Sequence, residues 1–147
     1  MQKKIQRLTL LTVILAVVLL NAACQPDEHG SSGSDAADMQ AMPQEIQDAP
    51  ASVRQAYLFN VANPDLMKQI PCYCGCGAMG HTSNYDCYVQ DVDASGAVTY
   101  DTHALGCSIC VDITQDAKRL FEQGKDAAQI KAYIDQTYSQ YGPSNIP

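Results

Sequence analysis

Beyond residue 50, apolar positions recur at helical spacing and are separated by short polar breaks. Val53, Ala56, Tyr57 and Val61 fall on one face behind Ser52, which predicts a helix with Ser52 as its N-cap. Asn63-Pro64 ends that pattern, and Pro64–Gln69 predicts a second, short helix with proline at its first position. Cys87–Val92 and Ala97–Tyr100 flank Asp93-Ala94-Ser95-Gly96, a β-hairpin signal. From Cys107 to about Gln123, Ile109, Cys110, Ile113, Ala117, Leu120 and Phe121 form an apolar stripe that predicts a helix, with Gly124 as its stop. Asp126 then caps a last helix, with Gln129 at the capping-box position. Ile130, Tyr133, Ile134, Tyr138 and Tyr141 lie on its inner face, and Gly142-Pro143 ends it. The expected fold is mainly α (small α+β): short helices, a cysteine-rich loop, one hairpin and a C-terminal helical hairpin. No internal repeat is visible.

Upstream the pattern changes. Lys3, Lys4 and Arg7 precede an apolar run, Leu8–Leu20, which only Thr9 and Thr12 interrupt; Ala22-Ala23 then lead into Cys24. A basic n-region, a short apolar h-region and small residues at the cleavage point predict an export signal over 1–23. The run is too short to span a bilayer, which takes ~20 residues. A cysteine directly after Ala-Ala resembles a bacterial lipoprotein signal, with Cys24 lipidated and anchored to the membrane outside the cytoplasm. Asn21 stands where such signals usually carry leucine. Residues 24–50 are rich in Gln, Ser, Gly, Asp, Ala and Pro and have no aromatic residue, which predicts a disordered tether. His29, Met39 and Met42 are scattered in it. Residues 51–147 then make one small Cys-rich domain.

Charge narrows the partners. Removing residues 1–23 takes away three bases and no acid, so the formal net charge goes from −7 to −10. An acidic surface argues against nucleic acid. Nor does the chain carry a Ser-His-Asp order, a phosphate loop or a paired-carboxylate signature, which argues against hydrolysis and phosphoryl transfer. The membrane, through Cys24, and metal-handling or thiol-redox proteins are the partners to expect.

Six of the seven cysteines lie between Cys72 and Cys110, three of them alternating in Pro71-Cys72-Tyr73-Cys74-Gly75-Cys76-Gly77. Cys87 and the Cys-x-x-Cys pair Cys107 and Cys110 complete the six, and His81 and His103 lie in the same window. Alternate residues of an extended segment point one way, so Cys72, Cys74 and Cys76 are expected to converge. Cysteines two apart strain a mutual disulfide, so each needs a distant sulfur or a shared metal. With His81 and His103, the six thiols are eight candidate ligands. That number suits two tetrahedral sites or one thiolate-rich binuclear site. Asp86, Asp101 and Asp112 flank them as candidates to orient histidine ligands. Tyr73 is placed either to stack over the site or to face the core.

Pro71–Gly77, with Gly80-His81, Tyr85-Asp86-Cys87, His103 and Cys107-Ser108-Ile109-Cys110, resembles the bacterial family named for its PCYCGC motif, over roughly residues 52–142. The resemblance implies an exported, often lipid-anchored protein and supplies no mechanism. A looser similarity runs from Cys107–Cys110 through Phe121–Lys125 to Tyr141-Gly142-Pro143, and is to the H component of bacterial cytochrome c maturation. It implies a helical thiol reductant, although Ala104-Leu105-Gly106 replaces that component's Leu-Arg lead-in.

Three readings stand. The first is a metal-binding module for Cu or Zn, acting as chaperone, store or sensor. Its ligands are Cys72, Cys74, Cys76, Cys87, Cys107, Cys110, His81 and His103, and Met79 nearby suits copper. The second is a thiol–disulfide oxidoreductase using Cys107 and Cys110, since the start of a helix is a common place for a reactive thiol. The third is a domain stapled by three disulfides, which is common outside the cytosol. Alternating cysteines fit disulfides poorly, and disulfides leave the two histidines unexplained. The metal reading is therefore preferred.

Overall fold

Helices of four to fifteen residues are marginal alone, so packing of their apolar faces must hold them. The computed structural model describes residues 38–146. Its helices are α1 (Gln44–Gln47), α2 (Ala51–Ala62), α3 (Pro64–Met67), α4 (Ser108–Glu122) and α5 (Ala127–Tyr138). A two-stranded antiparallel hairpin, β1 (Val89–Val92) and β2 (Val98–Tyr100), lies between α3 and α4. Three 3-10 turns, Cys76–Met79, Tyr85–Cys87 and His103–Leu105, punctuate the loops. The fold is mainly α with a small β element, as the pattern predicts.

The stripe on α4 makes it the central helix, packed on α2 and α5. Cys110, Ile113, Ala117 and Leu120 are buried as expected, and so are Val111 and Thr114 from beside the stripe. Phe121, expected inside, is 46% exposed and meets Phe59 edge-on at 6.0 Å. On α5, Ile130, Ile134 and Tyr138 are buried one turn apart. Each such side chain contributes about 1.5–3 kcal/mol by leaving water. Tyr141, expected on the same face, lies beyond the helix end and is exposed. The capping box forms as predicted: Gln129 N–H donates to Asp126 Oδ1 at 2.8 Å, and Asp126 N–H donates to Gln129 Oε1 at 3.2 Å.

Two expectations are corrected at the start of the domain. Pro50, not Ser52, occupies the N-cap of α2, because its extended φ/ψ of −52°/149° already turns the chain into the helix. Ser52 sits inside the first turn, its carbonyl accepting from Gln115 Nε2 at 2.8 Å. The boundary between tether and domain also moves. Met42, Ile46 and Ala49, all within the expected tether, are buried in the core, Ile46 completely. The folded part thus begins before residue 51. Residues 1–37, and with them the expected signal, Cys24 and His29, lie outside the described residues.

The hairpin pairs Val89 with Tyr100 and Val92 with Val98, with an irregularity between Val89 and Asp91. Asp93 Oδ1 accepts from Ser95 N–H and Ala97 N–H at 2.8 and 3.0 Å, which closes the predicted turn. The first strand begins at Val89 rather than Cys87, because Tyr85–Cys87 is wound as a 3-10 turn. No helix of the described residues is long and apolar enough to cross a membrane.

Candidate metal centre

The centre is assembled from four pieces of chain. Ile70 and Pro71, both buried, deliver the cysteine loop from the end of α3. Cys87 ends the 3-10 turn Tyr85–Cys87, and His103 opens the turn that leads into α4. Cys107 is the N-cap residue of α4, and Cys110 lies in its first turn. Spacing one turn apart on a helix places these two on the same side.

Seven of the eight expected donors come together, in two sets. Cys74 Sγ, His103, Cys107 Sγ and Cys110 Sγ lie within 4.8 Å of one another, and so do the sulfurs of Cys72, Cys76 and Cys87. The sets touch. Cys72 Sγ is 3.4 Å from both Cys74 Sγ and Cys110 Sγ, Cys74 Sγ is 3.6 Å from Cys110 Sγ, and Cys76 Sγ is 3.6 Å from Cys87 Sγ. His103 Nε2 is 3.5 Å from Cys74 Sγ. A tetrahedron with metal–sulfur bonds of about 2.3 Å has sulfur–sulfur edges of about 3.8 Å. The sulfurs are therefore near ligand spacing, and all six cysteines of the domain are free thiols. A Cys/His cluster able to hold a metal is present.

The trio gathers around Cys72, whose Sγ is 3.4 Å from that of Cys74 and within 4.8 Å of that of Cys76, but it is shared between the two sets. Gly75 takes φ +86°, a left-handed conformation that suits glycine, and this reverses the loop. Cys74 is left facing His103 and Cys110, while Cys76 swings to Cys87. His81 joins neither set. Its Nε2 lies 3.5 Å from Asp101 Oδ2, its ring meets that of His103 edge-on at 5.4 Å, and its buried Nδ1 has no partner among the described residues.

Crowded sulfur sets the protonation pattern. Cys110 beside it, with Cys76 and Cys87 adding, draws the Cys72 thiol well below the ordinary thiol range. Cys76 and Cys110 are pushed up, chiefly by Cys72. Cys87 is pushed up chiefly by Cys110, and Cys74 first by burial and then by the charge of Cys72.

The flanking acids divide. Asp101 Oδ1 accepts from the backbone N–H of His103 at 2.7 Å, placing that residue. Asp86 Oδ2 instead orders the loop after His81, accepting from Thr82 N–H and Ser83 N–H at 2.7 and 3.1 Å. Asp112 is exposed on α4 and orients neither histidine. Tyr73 faces the core and donates to Asp135 Oδ1 at 2.6 Å; burial pushes its phenol up to about 12.

Sequence reasoning passed over three supports. Asn145 clamps the cysteine loop from the far end of the chain. Its Oδ1 accepts from Cys72 N–H at 2.6 Å, and its Nδ2 reaches the carbonyls of His81 and Ser83 at 3.2 and 3.0 Å and Cys76 Sγ at 3.5 Å. Asn84 and Thr114, both fully buried, form the second clamp. Asn84 Nδ2 donates to the Cys110 carbonyl at 3.3 Å, and Thr114 Oγ1 donates to Asn84 Oδ1 at 2.7 Å. Thr114 Oγ1 also accepts from Asn60 Nδ2 of α2 at 3.2 Å. Buried hydrogen bonds are strong in a low-dielectric interior, so this network ties α2, the loop and α4 in one arrangement. A polar residue between apolar stripe positions on α4 is the signal that marks Thr114; Asn145 has none.

Cys107, half-buried like Cys74 and His103, faces outward from the cluster. It lines a surface groove of about 340 Å³ together with Pro50, Val53, Leu105 and Asp112.

No match was found among the curated proteins or among the solved structures. The family described as "Protein of unknown function with PCYCGC motif" matches residues 11–147. The match takes in both sulfur sets and the Asn145 clamp, and the chain belongs to the PCYCGC-motif family.

Proposed function

We propose that this protein is an exported lipoprotein, anchored through Cys24 outside the cytoplasm. In this reading it binds Cu or Zn at the Cys/His cluster and acts as a metal store or chaperone. One observation carries the reading: seven soft or borderline donors, brought from four chain segments, lie at near-ligand separations without disulfides. The donor chemistry supports it, since thiolate and imidazole are what Zn(II) and Cu(I) select. So does access, because Cys107 opens on a groove while the buried sulfurs do not, which suits ligand exchange with a metal-handling partner. The redox alternative gains less. The sulfur of Cys110 sits against Cys72 and Cys74, so it is engaged outside the Cys-x-x-Cys pair.

The test is anaerobic purification of the full chain with reductant, then metal analysis and titration with Zn(II) and with Cu(I), alongside a thiol count under denaturing conditions. Six reactive domain thiols and uptake of either ion are expected. A folded, reduced chain that binds neither ion overturns the reading, as does a native chain whose six domain cysteines are all in disulfides.

A further inference from the structure

Seven donors exceed what one ion of this class accepts, since structural Zn(II) takes four. The way they divide is uneven. The outer set has three sulfurs and an imidazole, a complete tetrahedral complement, and includes the groove-facing Cys107. The inner set is three sulfurs alone, with Cys72, Cys76 and Cys87 at 0%, 1% and 0% exposure. Burial closes the fourth position to bulk water. The one polar side chain reaching the inner sulfurs from outside the cluster, Asn145, approaches Cys76 Sγ with its Nδ2. An amide N–H₂ is a donor, so it supports negative charge on sulfur and cannot ligate. His81, which would have made the second tetrahedron, is held by Asp101 instead.

Resting on the metal-binding reading above, we propose that the centre holds two ions in sites of different coordination number. The outer set takes a four-coordinate ion, Zn(II) or Cu(I). Cys72, Cys76 and Cys87 form a separate inner site for a three-coordinate soft monovalent cation, of the Cu(I) class, that Zn(II) does not fill. Three-coordination by sulfur satisfies a closed-shell monovalent ion, whereas Zn(II) left with three ligands in a pocket closed to bulk water lacks its fourth. The routes to a fourth ligand are sharing Cys74 or Cys110, each 3.4 Å from Cys72, and the outer ion already holds both thiolates.

Titration of the reduced full chain under anaerobic conditions decides it, with Zn(II) and Ag(I) as the probes and Ag(I) standing in for Cu(I). One Zn(II) and two Ag(I) per chain are expected. The first Ag(I) equivalent added to the zinc-loaded protein should bind without releasing zinc to a chromophoric chelator. Cys87→Ser should lower Ag(I) from two to one and leave Zn(II) at one. If that variant fails to fold, the zinc-retention measurement on the unaltered chain still decides. Two Zn(II) per chain, a single Ag(I), or loss of zinc at the first Ag(I) equivalent overturns the inner site while leaving metal binding intact. Binding of neither ion is the separate failure of the underlying reading.

Discussion

Replacing Asn145 with alanine removes the clamp on the cysteine loop without touching a sulfur. The side chain offers one acceptor, used by Cys72 N–H, and two hydrogens shared among two carbonyls and Cys76 Sγ. Three effective bonds, partly buried, at about 1 kcal/mol net each, put the cost at about 2–3 kcal/mol. In a domain of this size that lowers the midpoint of thermal unfolding by about 10–20 °C. Urea or thermal unfolding of the reduced full chain reads the loss, and the rate at which Cys72 and Cys76 react with an alkylating reagent reads the opening. Asn145→Asp separates tethering from charge. It keeps the acceptor for Cys72 but sets a carboxylate against a sulfur and two carbonyls, so it should weaken metal binding more than alanine does. Gly142→Ala is an independent check. A Cβ there would stand 2.8 Å from the Tyr73 carbonyl oxygen, too close for the tail to stay seated. A change below about 0.5 kcal/mol in Asn145→Ala, with the buried thiols no more reactive, would refute the clamp, since surface substitutions stay within that range.

Thiol reactivity in the metal-free, reduced protein should follow burial: half-buried Cys74 and Cys107 are alkylated first, buried Cys72, Cys76, Cys87 and Cys110 last, and mass spectrometry of partly labelled peptides gives the order. Raised thiols at Cys74, Cys76, Cys87 and Cys110 stabilise the metal-free fold below the unfolded thiol pKa of about 8.5 and lose that contribution as pH rises above it. The lowered Cys72 works the other way, contributing above the unfolded thiol value and losing it as pH falls toward the folded one. Metal-free urea midpoints should therefore fall between about pH 8 and pH 9.5 while zinc-loaded midpoints hold or rise, because ligation needs thiols free of protons; a parallel fall in both forms counts against ligation. Cys24→Ser should move the protein from the membrane fraction to the soluble or uncleaved form, and an unaltered protein recovered soluble with a free Cys24 thiol sinks the anchor.

Local signals carried much of this fold. The α4 stripe, the Asp126–Gln129 box and the Asp93–Gly96 turn are each written in a few neighbouring residues, and each formed where expected. The errors fall where geometry is set by distant partners. Met39, Met42, Ile46 and Ala49 recur at helical spacing, but the polar composition around them hid a core segment. Membership of the sulfur cluster was legible from residue type and density. Its division was not, because that depends on the reversal at Gly75 and on Asp101 holding His81. Asn145 was invisible for the same reason. It follows a Gly-Pro stop in a short polar tail, and only the folded loop shows what it holds.

Four of the seven converging donors, Cys72, Cys76, Cys87 and Cys110, are also part of the hydrophobic core. A protonated buried cysteine packs as a small apolar side chain, so an empty centre need not leave a hole. If the cluster holds metal as proposed, then unlike a zinc finger, which unfolds without its ion, this domain has a mechanical reason to keep its shape when metal is scarce. Starvation would then leave a vacant receptor ready to refill, not a substrate for proteases. The same double duty constrains descent: a lineage that discards the metal must refill those four positions with apolar residues of similar size, and serine is the wrong replacement.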